Sequence, residues 1–186
     1  MSTLSITFAQ REVNRRKVMH LANEALNLSK RAIFALHRDD EKAAKEKLSE
    51  AETRFKACDA LIKKEASLAY EGSFVAALEE HAEAQLFFEY LARGNWSRPA
   101  RAKSLNVYLG GLSDFTGELV RYAVKEATLG HQKVVARVHK DVESVVGILI
   151  ELDLTGNLRQ KFDQAKRNLR QMEQIIYELA LSSRRN

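Results

Sequence analysis

Two short acidic stretches hold the residues best suited to chemistry, Glu80-His81-Ala82-Glu83 and Asp114-Phe115-Thr116-Gly117-Glu118. The carboxylates lie three residues apart in the first and four in the second. On an α-helix either spacing puts both side chains on one face, one turn apart. If the four acids meet, they form an oxygen-only ligand set without histidine or thiol, which suits Mg²⁺ or Mn²⁺. A metal so held can activate water and stabilise charge developing on a phosphodiester. By spacing alone, the ordinary reading of each pair is a solvated or ion-paired helix face, with Arg121 or Lys125 available to Glu118.

Other familiar centres are missing from the sequence. It has no GxxxxGK[ST], no GxGxxG and no Cys/His cluster for zinc. The five histidines (His20, His37, His81, His131, His139) are scattered, and none lies three residues after a glutamate, as a di-iron bundle requires. Cys58 is alone and lies in an apolar helical stripe, so it reads as a small core residue.

The elements that must position the acids are helical. One proline and eight glycines in 186 residues leave long stretches without a helix breaker. A first helix is predicted from about Phe8 to Leu36, with Val18, Leu21, Ala22, Leu26, Ala32, Ile33 and Leu36 as its apolar stripe. Arg38-Asp39-Asp40 makes a turn whose aspartates suit an N-cap. The second helix carries a seam of Ala44, Leu48, Ala51, Phe55, Cys58 and Ile62. Gly72-Ser73 marks a break, with Ser73 the expected cap of a third helix over Phe74 to Arg93. Projected at 100° per residue, Glu80 and Glu83 fall on one arc with Ala76, Ala84, Phe87, Tyr90 and Leu91. A carboxylate in that setting needs a cation, a metal or a proton, because burial without a partner costs several kcal/mol.

Gly94 to Arg101 reads as a loop around Pro99. A fourth helix is predicted from Ser104 to Leu129, with Gly130 ending it. Leu105, Tyr108, Leu112, Phe115, Leu119, Tyr122 and Ala123 form its apolar stripe. Val107, Gly111, Asp114 and Glu118 line up on the other side. Gly110, Gly111 and Gly117 each cost a helix about 1 kcal/mol relative to alanine, which suggests that something bulky or another backbone comes close. A fifth helix spans Lys133 to Leu152, and Asn157 with Gln160 resembles a capping box opening a sixth. That helix has Leu158, Phe162, Ala165, Leu169, Met172, Ile176 and Leu179 as a packing seam, before a short basic tail over Ser182 to Asn186. The expectation is an all-α, six- or seven-helix antiparallel bundle forming a single domain over 1–186.

Composition agrees with a globular chain: 45% hydrophobic and 30% charged residues argue against disorder. Thirty Lys+Arg against 25 Asp+Glu give a net charge of +5, a mild preference for an anionic partner. No run approaches the roughly 18 apolar residues of a membrane span. The N-terminal Met1-Ser2-Thr3-Leu4-Ser5-Ile6 lacks the pattern of a signal peptide, so no membrane and a cytoplasmic location are expected.

Four stretches together are similar to the translin/Trax family. Ala77-Leu78-Glu79-Glu80-His81-Ala82-Glu83-Ala84 resembles the segment carrying the acids of the Trax branch. Tyr108-Leu109-Gly110-Gly111-Leu112-Ser113-Asp114-Phe115-Thr116-Gly117-Glu118-Leu119 is very similar to the family's YLxGxxDLTGEL, the most specific match. Leu158-Arg159-Gln160-Lys161-Phe162-Asp163 with Met172-Glu173-Gln174-Ile175-Ile176-Tyr177-Glu178-Leu179 resembles its LRxKxD…KVEEVVYDL, and Ser29 to Arg38 its SKRxIFxLHR. The resemblance implies a translin-type helical subunit that self-associates into a closed, hollow, octamer-like shell. It implies a Trax-like metal-dependent endoribonuclease, here a stand-alone prokaryotic or archaeal homologue. Carried over by position, Glu80, Glu83 and Asp114 become catalytic, and the same three with Glu118 become ligands of Mg²⁺ or Mn²⁺. Either Glu80 or Glu83 could also serve as base. His81 stands where the family often has an aromatic; it could reach the scissile phosphate or be an ordinary helix-face histidine.

RNA, single- or double-stranded, is the expected partner, with Arg11, Arg15, Lys30, Arg31 and Arg38 as candidate phosphate contacts. Two rivals are open. One is a translin-type assembly that holds single-stranded RNA or DNA without cutting it. The other is a structural helical bundle whose acids are simply ion-paired.

Overall fold

A computed structural model describes residues 3–185, so Met1 and Ser2 at the expected leaderless start and Asn186 of the basic tail lie outside the described residues. All regular structure within that range is helical: α1 (Thr3–His37), α2 (Glu41–Ile62), a short 3-10 helix (Ala66–Tyr70), α3 (Gly72–Arg93), α4 (Leu105–Thr128), α5 (Gln132–Ile150) and α6 (Gly156–Arg185). None of the described helices is long and apolar enough to cross a membrane. The chain divides into two compact units, one ending at Lys103 and the other starting at Ser104.

In the first unit, α1 packs on α2 and α3. Its core gathers Val18, Ala22, Ala25 and Leu28 with Ala51, Phe55, Cys58, Leu68, Phe74 and Ala77. The alanines matter because small side chains let paired helices approach closely. The turn between α1 and α2 is a Schellman motif: Asp39 N–H donates to the Leu36 carbonyl and Asp40 N–H to that of Ala35, both at 3.0 Å. Asp39 takes the left-handed position at φ 59, which glycine usually fills. Asp40 then caps α2, its side chain accepting from Ala43 N–H at 2.9 Å, as the aspartate pair predicts.

Several sequence expectations give way here. The 3-10 helix is absent from them; its five residues are too few to show a period, and it hangs on the buried Leu68. Ser73 does not cap α3, which starts two residues earlier, at Gly72, with Glu71 at the cap. Likewise α6 starts at Gly156, so Asn157 is inside the helix and the capping-box reading fails. Leu105, placed on the apolar stripe of α4, is exposed. The helix α6 also runs on through Ser182 to Arg185, in place of the expected tail.

In the second unit, α4, α5 and α6 pack on one another pairwise. Val135, Val138, Val142, Val145 and Leu149 form a fully buried row along α5 in alternating steps of three and four. Phe162, Ala165 and Met172 of α6 and Phe115, Leu119 and Ala123 of α4 are buried with them. A second Schellman motif ends α4: Gly130 N–H donates to the Ala127 carbonyl at 3.0 Å and His131 N–H to that of Glu126 at 2.9 Å. Gly130 sits at φ 80, and the Glu126 carboxylate bonds the His131 ring at 2.7 Å.

Candidate metal and RNA site

Each unit carries one acidic pair. In the first, α3 presents Glu80 and Glu83 one turn apart. Glu83 is only 8% exposed, between the buried Ala82 and Ala84. The Glu80 side chain is 19% exposed, with the Lys30 ammonium of α1 at 3.9 Å. Two carboxylates this deep concentrate negative charge where water screens it poorly.

In the second unit, α4 presents Asp114 and Glu118, both partly buried. Asp114 accepts a hydrogen bond from the Lys161 ammonium of α6. Two turns further along α6, Asn168 donates to Thr116 Oγ1 at 2.8 Å and accepts from Gln164 at 3.0 Å. Thr116 in turn donates to the Ser113 carbonyl at 2.7 Å. Asn168 is also what comes close to Gly117: an added Cβ would meet its amide nitrogen at 3.5 Å, ordinary contact. The approach expected at the glycines is therefore, at Gly117, a side-chain amide that an alanine would tolerate. Among the described residues, no three His, Cys, Asp or Glu side chains gather closely enough to hold a metal ion.

The candidate phosphate contacts differ among themselves. Arg11 pairs with Glu65 and Arg15 with Glu71, each at 2.9 Å, and Arg15 also reaches Glu12 at 3.5 Å. Lys30 faces Glu80 as described. Arg38 is exposed over the Phe34 ring at 5.6 Å, and Arg31 is exposed with no ion-pair partner among the described residues.

His81 is a core residue, 1% exposed, and is not placed to touch a phosphate. The Ser29 hydroxyl gives its one hydrogen to the Ala25 carbonyl at 3.0 Å, so His81 Nδ1–H donates to Ser29 Oγ at 3.2 Å. That leaves Nε2 as a buried acceptor with no hydrogen-bond partner. Burial pushes the imidazole pKa down from 6.5 to about 4, with the Glu52 charge opposing and that of Arg101 assisting.

Sequence reasoning missed two cations. Lys161 lies within a quoted motif yet its partner is 47 residues away in the chain. Arg101, in the connection after α3, grips α2 through Glu52 at 2.7 Å and Asp59 at 3.1 Å and lies 5.0 Å over the Phe55 ring. The fork holds the Glu52 carboxyl below its usual range and raises the guanidinium. For Asn168 a signal was present: it is a polar residue on the buried row Phe162, Ala165 and Met172.

The sequence model of the Translin family matches residues 14–183. No curated protein sequence matches the chain. The fold is similar to the crystal structure of apo-NeC3PO, with a TM-score of 0.85, 22% identity and 95% of each chain covered. It is also similar to AfC3PO solved as a duplex RNA complex, with a TM-score of 0.86 and 19% identity over 96% of this chain and 95% of that one. A further crystal structure of AfC3PO gives 0.86 and 20%, with 96% of both chains covered.

Proposed function

The chain belongs to the Translin family, and from that premise we propose that it is a metal-dependent endoribonuclease that binds RNA inside a hollow homo-oligomer. The observation that carries the reading is the pair on α3. Glu83 is 8% exposed and Glu80, with the Lys30 ammonium at 3.9 Å, lies one turn away, so the pair gathers negative charge at a poorly screened place that favours a cation. Glu80, Glu83, Asp114 and Glu118 are the residues that would hold Mg²⁺ or Mn²⁺, and their hard oxygen donors fit either ion. When bound, such an ion supplies Lewis acidity and a water of lowered pKa for phosphodiester hydrolysis. Glu80, Glu83 and Asp114 are the proposed catalytic residues, with Glu80 or Glu83 also able to take a proton from the attacking water. Arg31 and Arg38, exposed on α1, supply charge for the RNA backbone; Arg11, Arg15 and Lys30 would do so by exchanging their carboxylate partners for phosphate. That AfC3PO was solved with duplex RNA makes a duplex the first substrate to try.

One observation favours a second reading, a non-catalytic assembly that holds RNA or single-stranded DNA. Asp114 already has a cation, Lys161, within its own unit. An RNA cleavage assay with Mg²⁺, Mn²⁺ or EDTA, run beside Asp114→Asn, separates the two. The nuclease predicts cutting that needs the metal and that the variant loses by a factor of about a hundred or more. Equal cutting by both proteins, or RNA bound by wild type and never cut, overturns it.

A further inference from the structure

We propose that Lys161 is an internal counter-ion which occupies Asp114 in the metal-free protein and must leave it when a divalent cation loads, so that it sets the metal affinity. The inference rests on the reading of Asp114 as a metal ligand. It is carried by the contact itself: Lys161 Nζ donates to Asp114 Oδ2 from a side chain 19% exposed to a carboxylate 31% exposed.

The choice of partner is informative. An acid lies two residues along the same helix, Asp163, yet Arg159 at 3.3 Å and Lys166 at 2.7 Å engage it. Lys161 reaches across to α4 instead. Its aim is fixed by register, because seven residues on, the same helix is pinned to α4 by Asn168 on Thr116. Two turns of α6 therefore present first a cation to Asp114 and then an amide to Thr116.

An ammonium on Oδ2 and a divalent cation on the same carboxylate repel each other strongly where water is scarce, so the two compete for Asp114. Lysine suits a removable counter-ion: its charge is compact and sits on a flexible stem, without the fixed fork by which arginine locks a carboxylate. Until a metal arrives, the ammonium neutralises a half-buried Asp114.

The test is Mn²⁺ binding without RNA, followed by electron paramagnetic resonance and by calorimetry, on wild type, Lys161→Met and Asp114→Asn. Lys161→Met is expected to bind Mn²⁺ on the order of tenfold more tightly, because the competitor is gone. It is also expected to melt at a lower temperature than wild type without metal and to gain more from added Mn²⁺. If wild type fails to bind and Lys161→Met binds, the proposal is upheld in its strongest form. Wild type that binds through Asp114 while Lys161→Met binds equally or more weakly overturns the counter-ion and leaves the metal site standing. Absence of binding in both overturns the two together. Lys161→Gln, neutral and still able to donate a hydrogen bond to Asp114, provides the same comparison should the methionine variant not fold.

Discussion

His81 makes the stability of this protein depend on pH below the ordinary histidine range. Above its unfolded value of 6.5, the ring is neutral in both states and contributes no pH dependence. Below 6.5 the unfolded chain takes up a proton that the folded chain refuses, because Nε2 is sealed in the core beside Phe55 with ring centroids 5.1 Å apart. Stability therefore falls as pH drops from 6.5 and stops falling, for this group, near the folded value of about 4. Across that window the loss is about 3 kcal/mol, at roughly 1.4 kcal/mol per pH unit. His81→Phe supplies the reference, since a phenyl ring preserves the edge contact with Phe55 and cannot titrate. Urea unfolding of both proteins at fixed concentration, from pH 7 to pH 4, isolates the effect, because carboxylate titrations are common to the two and cancel. The stability of wild type minus that of the variant should be flat above pH 6.5, fall below it and level near pH 4. A difference that stays flat throughout would refute the buried neutral imidazole.

Arg101→Ala removes a grip on two carboxylates and a ring contact at once and should cost about 2–4 kcal/mol, read by urea unfolding; a loss under about 0.5 kcal/mol would make the grip ornamental. The two Schellman turns should answer glycine in opposite directions. Asp39→Gly should stabilise by about 0.5–1 kcal/mol and Gly130→Ala should destabilise by about 1 kcal/mol, both measured by thermal melting. Cys58 is fully buried and its thiol is pushed up to about 11 by burial, so an aromatic disulfide reagent should leave it unmodified in the native protein and label it at once in urea.

What the sequence made legible is whatever repeats along one helix. The stripe of α1, the Phe55–Cys58 seam of α2 and the Phe162–Met172 row of α6 are written in steps of three and four, and their residues are buried or, as Leu21, Leu26 and Leu169 are, partly buried. Asp40 as a cap and Gly130 as a stop were legible because each acts on its neighbours. The inward setting of Glu83 was legible by projection for the same reason. Partners distant in the chain were not. Lys161 for Asp114, Asn168 for Thr116 and Arg101 for Glu52 are separated by 47, 52 and 49 residues, and no local period announces them. His81 shows the limit from the other side: its position on a helix could be read, and its Ser29 partner on another helix could not.

The way the helices are paired has a consequence for synthesis. The α1–α2, α1–α3 and α2–α3 packings are complete within the first 103 residues, and the three packings among α4, α5 and α6 lie wholly C-terminal to Lys103. A ribosome releases the chain at about 5–20 residues per second, whereas helix hairpins close in microseconds to milliseconds. The Phe55 core can therefore condense, and Arg101 can settle on Glu52 and Asp59, while α5 and α6 are still being translated. Asp114, by contrast, waits for Lys161 and emerges from the ribosome without its counter-ion.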